Sequence, residues 1–198
     1  LKSFGRISVG EAAGNAIDST RTPIQPGLIH LGFLTIQQEQ GAWIGGYLVT
    51  NAWARPLEFR LTSAVQPSRV QQILYGPTLE PHLVADLIGK TLLDKTAVTA
   101  QVIVCDHPHA TLLAGKVDSA LTLIHSGQIP EGFKPLPNGP DWAAGLCVQS
   151  GDSEGGETAS HVLGCIPVAV DLAEPFQRLK EAMQEARRLG GALPRAAG

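Results

Sequence analysis

The sequence predicts an α+β fold: an antiparallel three-stranded meander extended by further strands, packed against helices, with a helix at the C-terminal end. Three observations carry this expectation. Apolar-rich runs at 31–37, 43–50 and 57–62 follow one another at short gaps, which favours pairing between neighbours. Apolar residues recur at helical spacing over 83–92 and again over 176–189. Between those stretches lie runs such as TAQVIVCD (99–106), whose branched residues suit a buried strand.

With 198 residues, 43% of them hydrophobic and 17% charged, the chain is long and oily enough for one folded domain. The expected organisation is an irregular N-terminal arm (1–29), a single domain (30–190) and a frayed tail (191–198). A net charge of −3 supplies no field for a polyanion, so no nucleic acid is expected. No apolar run reaches the roughly 18 residues of a membrane-spanning helix, so no membrane is expected either. Cys105, Cys147 and Cys165 form no CxxC pair and each lies in an apolar run, the usage of a reducing, cytoplasmic compartment.

The arm holds one short strand pattern at 4–9, then small polar residues and two prolines. His30 opens the first meander strand as an ordinary strand-end histidine. In the second strand Trp43, Tyr47 and Val49 alternate with Ile44, Leu48 and Thr50, so both faces are largely apolar and both are expected to be covered. Gly45 and Gly46 within it imply a bend, a bulge or another group lying close to the backbone. Asn51 to Pro56 connects to the third strand. There Leu57, Phe59 and Leu61 are expected inside while Glu58, Arg60 and Thr62 make a wet face.

Gln66-Pro67-Ser68 signals a helix start, with Ser68 as cap, Val70, Ile73 and Leu74 as an apolar stripe, and Gly76-Pro77 as the stop. A longer helix begins near Thr78 or Glu80 and turns Leu83, Val84, Leu87, Ile88, Thr91 and Leu92 toward the sheet. Gly89-Lys90-Thr91 ends like a phosphate-binding loop, but Val84 stands where that loop needs glycine, and the tripeptide lies inside a helix. A turn or short helix at 110–116 and a strand at 120–125 follow, then a proline- and glycine-rich loop at 127–141. Runs at 144–149 and 161–170 read as a hairpin joined by GDSEGGETAS, with Asp152, Glu154 and Glu157 on a solvated tip. The last helix has Asp171 and Glu174 at its start, Arg187 and Arg188 near its end, Gly190-Gly191 as its stop, and Phe176, Leu179, Met183, Ala186 and Leu189 on one face.

The densest group of reactive side chains is Cys105-Asp106-His107-Pro108-His109, at the end of a buried strand, where open sheets place their chemistry. Cys105, Asp106 and His107 are the catalytic candidates. Cys105, His107 and His109 are the metal candidates, with zinc as the cofactor. No nucleophile elbow, zinc-protease helix or dinucleotide turn accompanies them.

The strings GGYLVTN, RPLEFRLT and LYGPTLEP resemble a family of uncharacterised bacterial proteins over about residues 30–125. The resemblance implies a compact bacterial domain and brings no activity, cofactor or catalytic residue with it. From the residues themselves, the expected function is a non-enzymatic binding or scaffold subunit acting through protein–protein contact or self-association. Its surface would be Arg55, Glu58, Arg60, Arg69 and Tyr75, residue types enriched at interfaces. The alternative is a hydrolase or metal-dependent enzyme using residues 105–109.

Overall fold

A computed structural model describes residues 28–139 and 145–192. The short strand expected at 4–9, most of the arm, and the tail beyond 192 lie outside the described residues. Among the described residues, seven strands form one mixed sheet ordered β3-β2-β1-β4-β5-β7-β6. Strands β1 (His30–Glu39), β2 (Ala42–Asn51) and β3 (Pro56–Leu61) are the antiparallel meander. Strands β4 (Val102–Cys105) and β5 (Ala120–Ile124) run parallel to β1, and β6 (Phe133–Pro135) and β7 (Leu146–Gln149) close the far edge antiparallel.

The α+β class therefore stands, but the strand order exceeds a simple meander. After β3 the chain crosses one face of the sheet and re-enters beside β1, which a parallel neighbour requires. That crossing carries α1 (Arg69–Tyr75) and a longer helix, α2 (79–94), wound wide over His82–Gly89. A 3₁₀ turn at Pro108–Leu113 joins α2 on this face. Helices α3 (Ser153–Gly164) and α4 (Glu174–Ala192) cover the other face. Two cores result, one holding Phe33, Leu48, Val104, Leu163 and Phe176, the other Leu34, Tyr47, Ile88, Ile103 and Leu113.

The glycine pair of β2 marks close approach on both sides. A Cβ on Gly45 would run into Ile88 of α2 and one on Gly46 into Met183 of α4, so both helices rest against bare backbone. Helix α4 is fixed by Phe33 and Phe176, whose rings meet edge to face at 5.5 Å. Arg187 pairs with Glu39 at the end of β1, and Arg178 Nη2 donates to the Ala54 carbonyl at 2.9 Å.

Several expectations need correction, beginning with Leu87 of α2, which is expected to face the sheet and is 41% exposed. Leu57 and Phe59 are 46% and 40% exposed, because β3 is the sheet edge and α4 crosses too far inboard to cover them. Glu58, expected in water, is instead drawn in by bonds described below. Val70, Ile73 and Leu74 of α1 are all exposed although Ser68 caps that helix as expected, with Gln71 completing a reciprocal capping box. The hairpin read across 144–170 is a strand followed by α3: Asp152 caps the helix by accepting the Gly155 N–H at 2.8 Å, and Glu154 sits in its first turn. Gly156 packs closely there, since a Cβ would lie 3.1 Å from Pro137 and crowd it. Last, α4 continues through Gly190-Gly191 to Ala192, with Leu189 exposed.

Candidate active site

Side chains alternate along a strand, so residues adjacent in sequence at the end of β4 face opposite layers. Cys105 points into the core under α2, and its Sγ donates to the Thr122 carbonyl at 3.2 Å. Burial, followed by the neighbouring charge of Asp106, pushes its thiol far above the ordinary range, so it is not a poised nucleophile. His107 stays on the α2 side, with Trp43 and His109 as ring neighbours at 6.0 and 5.6 Å. Its Nε2 lies 3.4 Å from Glu80, and His109 Nε2 lies 3.8 Å from the same oxygen.

Zinc does not fit this group. The His109 N–H donates to His107 Nδ1 at 3.3 Å, which places the His107 proton on Nε2, the nitrogen a metal would need bare. Cys105 is occupied elsewhere and held protonated. Among the described residues no set of three His, Cys, Asp or Glu side chains converges as metal ligands.

Asp106 takes the other direction. The parallel pairing of β1 with β4 sets Leu34 opposite Cys105, and the Asp106 N–H continues the ladder to the Leu34 carbonyl at 3.3 Å. Thr35 therefore stands beside Asp106, and its hydroxyl donates to Asp106 Oδ2 at 2.8 Å. Lys180 of α4 reaches the same oxygen at 2.9 Å. The second oxygen, Oδ1, is sealed from bulk solvent and has no hydrogen-bond partner. A buried carboxylate oxygen in that state marks a place for a trapped water or a chemical role.

Asp106 lines a cleft of about 650 Å³ at the carboxyl ends of β4 and β5, under α4. Its floor is apolar, with Ile124, Leu146, Leu172 and Phe176; its polar wall includes His125, Asp171, Lys180 and Glu181. His125 follows the last residue of β5, and its Nδ1 is likewise buried and unpartnered. Of the sequence-derived catalytic set the structure brings only Asp106 to this cleft. Thr35, His125 and Lys180 are not among the residues the sequence singles out. The signal for the first two is positional, since each sits at the carboxyl-end level of a parallel strand, and the β1–β4 pairing that reveals it joins segments distant in sequence.

Of the residues expected to make a contact surface, Glu58 is engaged within the chain. Glu58 Oε2 accepts the N–H groups of Ala97 and Val98 at 2.9 and 2.8 Å, and Oε1 takes Arg60 Nε at 2.6 Å. Desolvation opposes its ionisation, yet those donors prevail and hold its carboxyl below the usual range. Arg69 bonds Gln72 of its own helix, the Tyr75 ring stacks on His82 at 4.8 Å, and the Arg55 N–H closes a turn onto Asn51.

No protein-family model and no curated protein matches the chain. Solved structures similar in fold include endonuclease V of Ciona intestinalis bound to a 23mer DNA containing an inosine. It is 14% identical over 79% of this chain and 86% of that one, with a TM-score of 0.47. Endonuclease V of Bacillus subtilis is 13% identical over 83% and 86%, with a TM-score of 0.43, and that of Streptomyces avermitilis 14% identical over 87% of each, at 0.41. These values describe a distant likeness of fold. The expectation of a non-enzymatic protein-contact subunit with no nucleic-acid partner is corrected here. The similar structures are of endonucleases, two of them holding DNA, and Glu58 of the expected contact surface is bonded to the Ala97 and Val98 amides.

Proposed function

We propose that this protein is a hydrolase whose working carboxylate is Asp106, acting on a substrate held in the cleft beneath α4. The observation that carries the reading is the asymmetry of that carboxylate: Oδ2 is clamped by Thr35 and Lys180 while Oδ1 has no partner. Clamping one oxygen fixes the orientation of the other, which is what a general base needs before its substrate arrives. Side-chain movement that uncovers Oδ1 to the cleft admits a water, which gives up a proton to Oδ1 as the water oxygen bonds the electrophilic centre. The bond to the leaving group breaks in the same displacement. Lys180 stands beside the negative charge that develops, and His125, on the same wall, is placed to hand a proton to the leaving group.

The apolar floor gives the ligand a desolvated surface, so one face of the substrate is apolar or aromatic. No helix among the described residues is long and apolar enough to cross a membrane. A cytoplasmic setting completes the reading, supported by three free cysteines.

The test is hydrolysis by the purified chain, beginning with inosine-containing DNA and RNA and continuing through ester and phosphodiester panels. Turnover that disappears in Asp106→Asn and persists in Cys105→Ala supports the reading. Turnover that survives Asp106→Asn overturns it.

A further inference from the structure

Many enzymes that displace at phosphorus gather carboxylates around one or two divalent cations. The donor set of this cleft is built differently. Asp106 Oδ2 already holds an ammonium at 2.9 Å and a hydroxyl at 2.8 Å. The residue beside it on β1 is a threonine, which brings a proton donor where a cation would need an anionic ligand. The other two carboxylates on the wall are engaged as well. Asp171 Oδ1 accepts the Ala173 N–H at 2.8 Å, and Glu181 Oε1 accepts Gln177 Nε2 at 3.1 Å. Three acidic groups therefore line the cleft without converging on one point, in accord with the absence of a metal-ligand set among the described residues.

Resting on the hydrolase reading of the same cleft, we propose that Lys180 is its built-in cation: its ammonium neutralises Asp106 in place of a divalent ion and is the positive charge offered to an anionic group of the substrate. Lys180 is suited to both tasks. Its neighbours Leu179 and Met183 are buried against the sheet and fix the helix, while the Lys180 side chain keeps 39% exposure and can lean toward a ligand. A lysine ammonium is a compact point charge on a flexible stem, able to follow an oxygen through a displacement.

The test needs no substrate, so it can fail separately from the hydrolase reading. Backbone amide spectra of the full chain, stripped with EDTA, are recorded while Mn²⁺ is added to low-millimolar levels. In the wild type the signals of Thr35, Asp106 and His125 are expected to persist. In Lys180→Glu, where a second carboxylate replaces the ammonium beside Asp106, the same signals are expected to be lost selectively. Lys180→Gln, which removes the charge without adding a ligand, shows whether the fold tolerates the position. Wild-type signals that vanish as readily as those of Lys180→Glu overturn the proposal. A folded Lys180→Glu protein that binds no Mn²⁺ also overturns it, because the ammonium would then not be what excludes the ion. Where turnover is found, it should be unchanged by EDTA; its loss counts against Lys180 as the only cation.

Discussion

Cys105 and Asp106 are consecutive residues whose side chains lie on opposite faces of the sheet, the thiol under α2 and the carboxylate under α4. A cluster that looks continuous in sequence is thereby divided into a buried structural half and a cleft-lining half. The first consequence concerns activity. Asp106→Asn should keep the fold, since the amide oxygen still accepts from Thr35, but should lower hydrolysis by about 100-fold or more, the usual scale of a lost general base. Kinetics and thermal melting on the same sample check both halves.

Thiol reactivity provides an independent reading of the division. Cys105 and Cys147 are buried and Cys165 is partly exposed. Burial pushes the Cys147 thiol up to about 11 and raises Cys105 further, with the Asp106 charge adding to the effect. Labelling at neutral pH should therefore modify Cys165 first, leaving the other two protected until the protein unfolds. Mass spectrometry of the labelled peptides gives the order.

Glu58 should make the protein sensitive to acid. Its carboxyl is held below the ordinary value in the folded state, so its stabilising effect is complete above the unfolded value of about 4.3 and is lost as pH falls through the lower folded value. Glu58→Gln should lower stability at neutral pH by about 1–2 kcal/mol, because the Ala97 and Val98 amides exchange a charged acceptor for a neutral one. Denaturant titrations should show the gap between the two proteins closing below pH of about 4.

His107 works in a neighbouring window. Burial, with His109 adding to it, depresses its imidazole below the ordinary value, and the charge of Glu80 only partly offsets this. The folded state therefore takes up its proton later than the unfolded state. Stability should decline as pH drops below about 6.5, the unfolded value, and the decline should end once pH has passed the folded value. A wild type whose stability does not change between pH of about 6.5 and 5.5 would contradict this assignment.

Much of the fold was legible because strong local signals and tertiary need agreed. The α2 stripe apart from Leu87, the Ser68 cap and the buried run at β4 appear where periodicity and capping chemistry place them. Failures arose where long-range placement decides. Nothing local says that β3 is an edge, so alternation alone places Leu57 and Phe59 in the core. Gly155 and Gly156 hid α3, since the reason for Gly156 is Pro137, a residue distant in sequence. The active-site candidate was half legible: Asp106 is visible as a strand-end carboxylate. Thr35 becomes its partner only once β1 and β4 are known to run parallel, and Lys180 only once α4 is laid across them.

Gly45→Ala and Gly46→Ala should each destabilise by about 1–3 kcal/mol through overpacking, measurable by chemical denaturation, with the double variant worse than either. The reason reaches beyond stability. At these two positions the layers above and below the sheet are separated by nothing thicker than a main chain, so α4 rides at a height determined by hydrogen atoms rather than by side chains. A single methyl group at Gly46 would lift the helix that carries Lys180, and the reach of that ammonium to Asp106 would lengthen although neither residue had been altered.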